Sequence, residues 1–166
     1  MLLRKPKLED KENLKDYMEE HRLNGEMSIS ASNGMSTMTY EDWLKKLEHD
    51  ELGKNKEWGV SETYILEDNN KVIGMLNIRY TLSEDMAEIY GHIGYGVRPT
   101  ERRKGIATYM LKEALMKCKE KGMPEVILGC YEDNIGSNKT IIKNNGILYK
   151  KSKMRDKNSL YYKIWI

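Results

Sequence analysis

Between Met86 and Tyr131 the chain reads as strand, helix, strand, and that unit restricts the fold more than any other feature. From about Arg103 to Lys121 the residues Ile106, Ala107, Met110, Leu111, Ala114, Leu115 and Cys118 recur at helical spacing and build one apolar face. Lys112, Glu113, Lys117, Lys119 and Glu120 cover the other face, and Gly122 and Pro124 end the helix. Before it, Met86 to Val97 reads as a long strand. After it, Glu125 to Tyr131 is apolar through its middle and reads as a strand buried on both faces, central and parallel to a neighbour. A crossover of this kind is right-handed, and the loop leaving its first strand lies at the carboxyl edge of the sheet, where ligands of α/β sheets bind.

The other elements are arranged around that unit. Leu2 to Lys5 is a short strand stopped by Pro6. Leu8 to Arg22 is a helix carrying Leu14, Tyr17, Met18 and His21 on one side. Leu23 to Met38 is a long loop, of the length that often serves function, and it can line a binding cleft. Thr39 caps a helix from Tyr40 to about His49, whose Trp43 packs inward. Trp58 to Glu67 and Lys71 to Tyr80 are strands joined at Asp68-Asn69-Asn70, a hairpin signal. Asp133-Asn134 starts a further helix with Ile135, Ile141 and Ile142 facing inward. Strands Ile147 to Met154 and Leu160 to Ile166 close the chain. The order predicts one α/β (α+β) domain over residues 1–166, with a mixed, mostly antiparallel, six- or seven-stranded twisted sheet flanked by about four helices.

Charge and cysteine usage narrow the function classes. With 28 basic and 26 acidic residues the net charge is +2, so no bulk polyanion such as nucleic acid is implied and any electrostatic function is local. No apolar run spans a bilayer and no signal peptide is evident, which predicts a cytoplasmic protein with no membrane partner. Cys118 and Cys130 read as buried thiols. The three histidines lack ligand spacing, so no metal site is expected.

The local charge sits where a helix should not carry it. Arg102, Arg103 and Lys104 stand at the start of the amphipathic helix, against its dipole unless an anion binds among them. Gly105 removes a side chain where a ligand would approach the backbone. A P-loop needs Gly-x-x-x-x-Gly-Lys-Ser/Thr, which is absent. A dinucleotide fingerprint fails because Pro99 stands where the third Gly belongs. The third pattern, Arg/Gln-x-x-Gly-x-Gly/Ala at a strand-to-helix turn, is met by Arg102 through Ala107.

That hexapeptide, with Val97-Arg98-Pro99 before it and with Asn134, Ser137 and Lys143-Asn144-Asn145-Gly146 after it, resembles the GNAT superfamily of acetyl-CoA-dependent N-acetyltransferases. The likeness covers about Trp58 to Ile166. The resemblance implies the acyl-CoA N-acyltransferase fold, in which the strands ending at Val97 and Tyr131 splay apart and acetyl-CoA enters as a false strand. Val97 would pair with the pantetheine arm, Arg102, Arg103, Lys104, Gly105, Ile106, Ala107 and Thr108 would hold the pyrophosphate, and Asn134 and Ser137 would contact the arm's far side. Gly94 and Gly96 would mark a bulge whose N–H steadies the thioester oxyanion. The acceptor would be a small-molecule or peptide amine that attacks the acetyl thioester directly in a ternary complex, on a protein that is a monomer or homodimer. An alkylamine with pKa near ~10.4 needs a base, and His92 and Glu88, on one face of the predicted strand, are the candidates. Many relatives carry a Tyr as general acid where this chain has Ile141, which leaves Tyr131 or Tyr95 for that part. It also leaves open a non-catalytic acyl-CoA-binding module.

Overall fold

Among the described residues, seven strands form two antiparallel sheets. The computed structural model describes residues 1–56, 58–154 and 156–166, with Glu84 and Glu88 described in their backbone only. Strand β1 (Leu2–Arg4) leads into a 3₁₀ turn (Leu8–Asp10) and helix α1 (Lys11–Leu23). Helix α2 (Tyr40–Glu51) begins at Thr39, whose hydroxyl accepts the Asp42 N–H at 3.1 Å. Strands β2 (Ser61–Asp68) and β3 (Lys71–Arg79) form the expected hairpin, with Asn69 and Asn70 at φ of 48° and 59° as a two-residue turn of this hand requires. Helix α3 (Glu84–Tyr90), β4 (Ile93–Val97), α4 (Ile106–Glu120), β5 (Glu125–Tyr131), α5 (Ile135–Lys143), β6 (Ile147–Met154) and β7 (Lys157–Trp165) follow. None of these helices is long and apolar enough to cross a membrane.

The first sheet has the order β1-β2-β3-β4 and the second β5-β7-β6. On one face of the first sheet, Leu66, Leu76, Ile78, Ile93 and Val97 pack against Met110, Leu111 and Ala114 of α4, and this core continues into Val126, Leu128, Tyr162 and Ile164 of the second sheet. On the opposite face, Ile65, Val72 and Met75 are covered by Leu14, Tyr17 and Met18 of α1 and by Trp43 and Leu47 of α2. Burial of these side chains is the main term holding α1, α2 and α4 to the sheet. Arg98, just beyond β4, ties the α1 side down. It is fully buried and donates to Val72 O, Asp16 and Glu20 at 2.7–2.8 Å.

Four expectations are corrected. Met86 to Val97 is not one strand: Ser83 caps α3, and Gly91 ends it at φ +70°. A side chain at Gly91 would also meet Ile127 O at 3.1 Å, so helix stop and strand approach fall on one residue. β5 makes no parallel ladder with β4; its hydrogen-bonded partner is β7, antiparallel. The β3–β4 pairing runs from Ile93 to Val97 without a register shift, so the bulge suggested by Gly94 and Gly96 is absent there. Of the three α5 isoleucines only Ile141 is buried, while Ile135 and Ile142 are more than half exposed.

Candidate active-site cleft

The two sheets are pinned at one end and open at the other. His92 N donates to Ile127 O at 2.8 Å, and Ile127 N donates to His92 Nδ1 at 2.9 Å. Beyond this double bond β4 and β5 diverge. The gap is a cleft of about 950 Å³ lined by β4, the C-terminal half of β5, the turn before α4, the start of α5 and Ser28–Ala31. Arg98 N donates to Ile73 O, so the alternation of an antiparallel ladder turns the N–H and C=O of Tyr95 and Val97 away from β3, into the cleft. Val97 O there accepts Arg102 Nε at 3.0 Å.

The turn before α4 carries the unpaired donors that an anion would meet. Arg103 and Gly105 take left-handed conformations, φ 66° and 80°, of the kind that gathers successive N–H groups into an anion-binding concavity. Ile106, Ala107 and Thr108 open the helix; their N–H groups precede the first intrahelical bond, Tyr109 N to Gly105 O. No side chain caps this end and its first turn has no acidic residue.

The three cations of the turn are divided. Arg102 forms a fork with Glu26 at 2.6 and 2.7 Å, which fastens the 23–38 segment to the turn. Lys104 pairs with Glu101 at 2.8 Å and does not line the cleft. Arg103 lines it with no carboxylate partner among the described residues. Arg102 holds Glu26 well below the usual carboxylate range, at about 2. On the far wall Asn134 Oδ1 caps α5 by accepting Ser137 N–H at 3.0 Å, and Ser137 Oγ meets the Tyr95 hydroxyl at 2.9 Å. Burial pushes that phenol up to about 12. Tyr131 and Ile141 also line the cleft.

The candidate bases are separated by the helix that replaces the predicted strand. Glu88 lies in α3, and its side chain is outside the described residues. His92 is buried, and its Nδ1 lone pair is used by Ile127, so Nε2 carries the ring proton. Burial lowers its pKa. His92 is not among the residues lining the cleft.

A second histidine, not singled out from sequence, does line it. His21 Nδ1 lies 2.7 Å from Glu26, and its buried Nε2 has no partner among the described residues. Its ring is 4.6 Å from that of Tyr17, whose hydroxyl lies against Gly96. Glu26 and Arg102 are 76 residues apart, so no local pattern announces the cluster.

The Acetyltransferase (GNAT) family matches residues 31–144 of this chain. No curated protein matches by sequence. Among solved structures, the chain is similar to the putative acetyltransferase yncA of Salmonella typhimurium with acetyl-CoA, at 14% identity and TM-score 0.70, covering 99% of this chain and 92% of that one. It is similar to the ribosomal-protein-alanine N-acetyltransferase of Brucella melitensis at 14% identity and TM-score 0.72, covering both chains completely. For Mycobacterium smegmatis RimJ the values are 15% and 0.75, over 98% of this chain and 80% of that one. At such identities the likeness is one of fold. The matched segment contains both splayed strands, the anion turn and the capped start of α5, and the chain belongs to the GNAT acetyltransferase family.

Proposed function

We propose that this protein is an N-acetyltransferase that moves the acetyl group of acetyl-CoA to a primary amine by direct attack in a ternary complex. The observation that carries the reading is the pair of splayed strands with an N–H concavity and Arg103 at their open end. The pyrophosphate fits that turn, where Gly105 leaves open space and Arg103 and the first N–H groups of α4 face an anion. The edge of β4 turned away from β3, with the N–H and C=O of Tyr95 and the N–H of Val97, suits the amides of the pantetheine arm, with Asn134 and Ser137 on its other side. Two buried free thiols suit a reducing, cytoplasmic setting, and the acceptor is a small-molecule or peptide amine met by a monomer or homodimer.

Acetyl-CoA supplies the thioester: the amine nitrogen bonds to the acetyl carbon, the C–S bond breaks and coenzyme A leaves as the thiol. The Tyr95 N–H, turned into the cleft, is the backbone donor for the carbonyl oxygen. The ammonium proton goes to His21 Nε2, directly or through water, because Glu26 holds Nδ1–H and leaves that nitrogen's lone pair free. A thiol of pKa ~8.5 is a fair leaving group, and Tyr131 on β5 is the candidate proton donor to it.

The second reading is a regulatory acyl-CoA-binding domain without turnover. It is favoured by Ile141 at the position of the usual Tyr and by the engaged Nδ1 of His92. The test is thermal stabilisation by acetyl-CoA, abolished in Gly105→Glu, followed by thiol release with a panel of amines. Stabilisation with no thiol release from any amine establishes the second reading.

A further inference from the structure

Four of the six described arginines are matched with carboxylates. Arg4 pairs with Asp10 and Glu67, Arg22 with Glu19, Arg98 with Asp16 and Glu20, and Arg102 with Glu26. Two described arginines have no such partner, Arg103 and Arg79, and both line the cleft. Arg103 stands at the open end, by the turn. Arg79 stands at the other end, where β3 finishes beside the pinned strands. It is half-buried, between the Trp58 ring at 5.4 Å and the β4 backbone. Its Nη1 donates to Gly91 O at 2.9 Å and, more weakly, to Tyr90 O at 3.4 Å. Its Nη2 and Nε have no partner among the described residues, and Nη2 lies 3.5 Å from where a Cβ on Gly94 would stand. A half-buried guanidinium with free donors and no counter-charge is costly unless an anion completes it.

Alternation along β4 puts Gly94 and Gly96 on one face, the face of α1 and α2, so the strand presents bare backbone there. Tyr17 and Ser30 close over Gly96, and Arg79 closes over Gly94, roughly 7 Å further along the strand. Tyr95, whose N–H faces the cleft, stands between them. Arg79 also lines a side cavity of about 60 Å³ with the buried Ser61 and Thr63 and with Asn77, a polar patch inside an otherwise apolar sheet face. Resting on the acetyltransferase reading above, we infer that the acceptor is an amino carboxylate, such as a free amino acid: its carboxylate is bound by Arg79 and its amine is held over Tyr95. A carboxylate on the donor's acyl group is the other source of the same chemistry, and the test separates the two.

Thiol release is measured with wild-type protein on matched acceptors: an amino acid, its carboxamide and the corresponding amine without the carboxyl group. Arg79→Gln and Arg79→Lys are measured on the same set, with acetyl-CoA and succinyl-CoA as donors. The expected result is a KM for the amino acid about 10- to 100-fold below that of its carboxamide, with the preference erased in Arg79→Gln and partly kept in Arg79→Lys. Calorimetric titration of the amino acid into CoA-saturated protein reports the same fold-change without turnover. Equal KM values for amino acid and carboxamide in the wild type, a comparison that needs no variant to fold, overturn the inference while thiol release keeps the acetyltransferase reading. A variant that alters the choice between succinyl-CoA and acetyl-CoA, and not between acceptors, assigns the carboxylate to the donor and overturns it too. Stabilisation by acetyl-CoA without thiol release from any amine removes the enzymatic reading and this inference with it.

Discussion

His92 invites a decisive substitution, because the residue that sequence nominates as a base is a bracket between two strands. His92→Ala removes the acceptor of the Ile127 N–H in a buried site, and His92→Asn keeps an acceptor oxygen at nearly the same reach. An orphaned buried donor costs about 1–3 kcal/mol. With a urea m-value of about 2 kcal/mol/M, typical of small proteins, that moves the unfolding midpoint by roughly 0.5–1.5 M in the alanine variant and far less in the asparagine variant. Thiol release should follow stability: His92→Asn keeps most of kcat, whereas loss of a general base costs about 10²–10⁴-fold. The pH dependence carries the same sign. Burial holds the folded imidazole below its ordinary 6.5, so as pH falls through 6.5 the unfolded chain takes the proton first. Stability is intact above about 6.5 and declines below it until the folded ring titrates too, and His21, also lowered by burial, adds to that slope. His92→Asn should make the decline shallower. A His92→Asn protein of native stability that loses 100-fold or more in kcat, together with the lower limb of its pH–rate profile, would refute the bracket and restore His92 as the base.

Arg98→Met leaves Glu20 and Val72 O without their buried cation, and should cost about 3–5 kcal/mol in urea unfolding, far more than loss of an exposed ion pair. Glu20 and Glu26 are both held near 2, by backbone and side-chain donors of Thr100 and by Arg98 for the first and by Arg102 for the second. Their stabilisation is complete above the ordinary 4.5 and lost as pH falls from there toward 2, so circular dichroism should place acid unfolding in that window, and Glu26→Gln should reduce its amplitude. Burial raises the Cys118 thiol to about 12, so it should react with a thiol reagent only at the rate of unfolding, whereas Cys130 lines the open cleft; fast modification of Cys118 in the native protein would contradict its burial.

Much of the architecture was legible because short-range rules govern it. The α4 stripe, the Asn69-Asn70 hairpin, the Thr39 and Asn134 caps and the buried run of β5 follow from periodicity, turn chemistry and capping, all of which act within a few residues. The misreading of Met86 to Val97 has the same origin. A short helix between a Ser cap and a Gly stop presents too few turns to show a period, and Gly91 is needed there because β5 approaches it, a fact of the tertiary structure. The bulge suggested by Gly94 and Gly96 is absent because bare backbone on that face makes room for Tyr17, Ser30 and Arg79, with no break in the ladder.

The sequence by itself determined a cationic strand-to-helix turn with unpaired N–H groups over Arg102 through Thr108, since helix polarity, turn residues and the orphan donors of a helix start are local properties of the chain. Only the tertiary structure decided how the charges there are used. It gave Arg102 to Glu26, gave Lys104 to Glu101, left Arg103 facing the cleft and set Arg79 alone at the opposite end. Pairing of charges depends on distance in space, and residues 76 positions apart along the chain become neighbours only when α1 and the following segment fold back over β4.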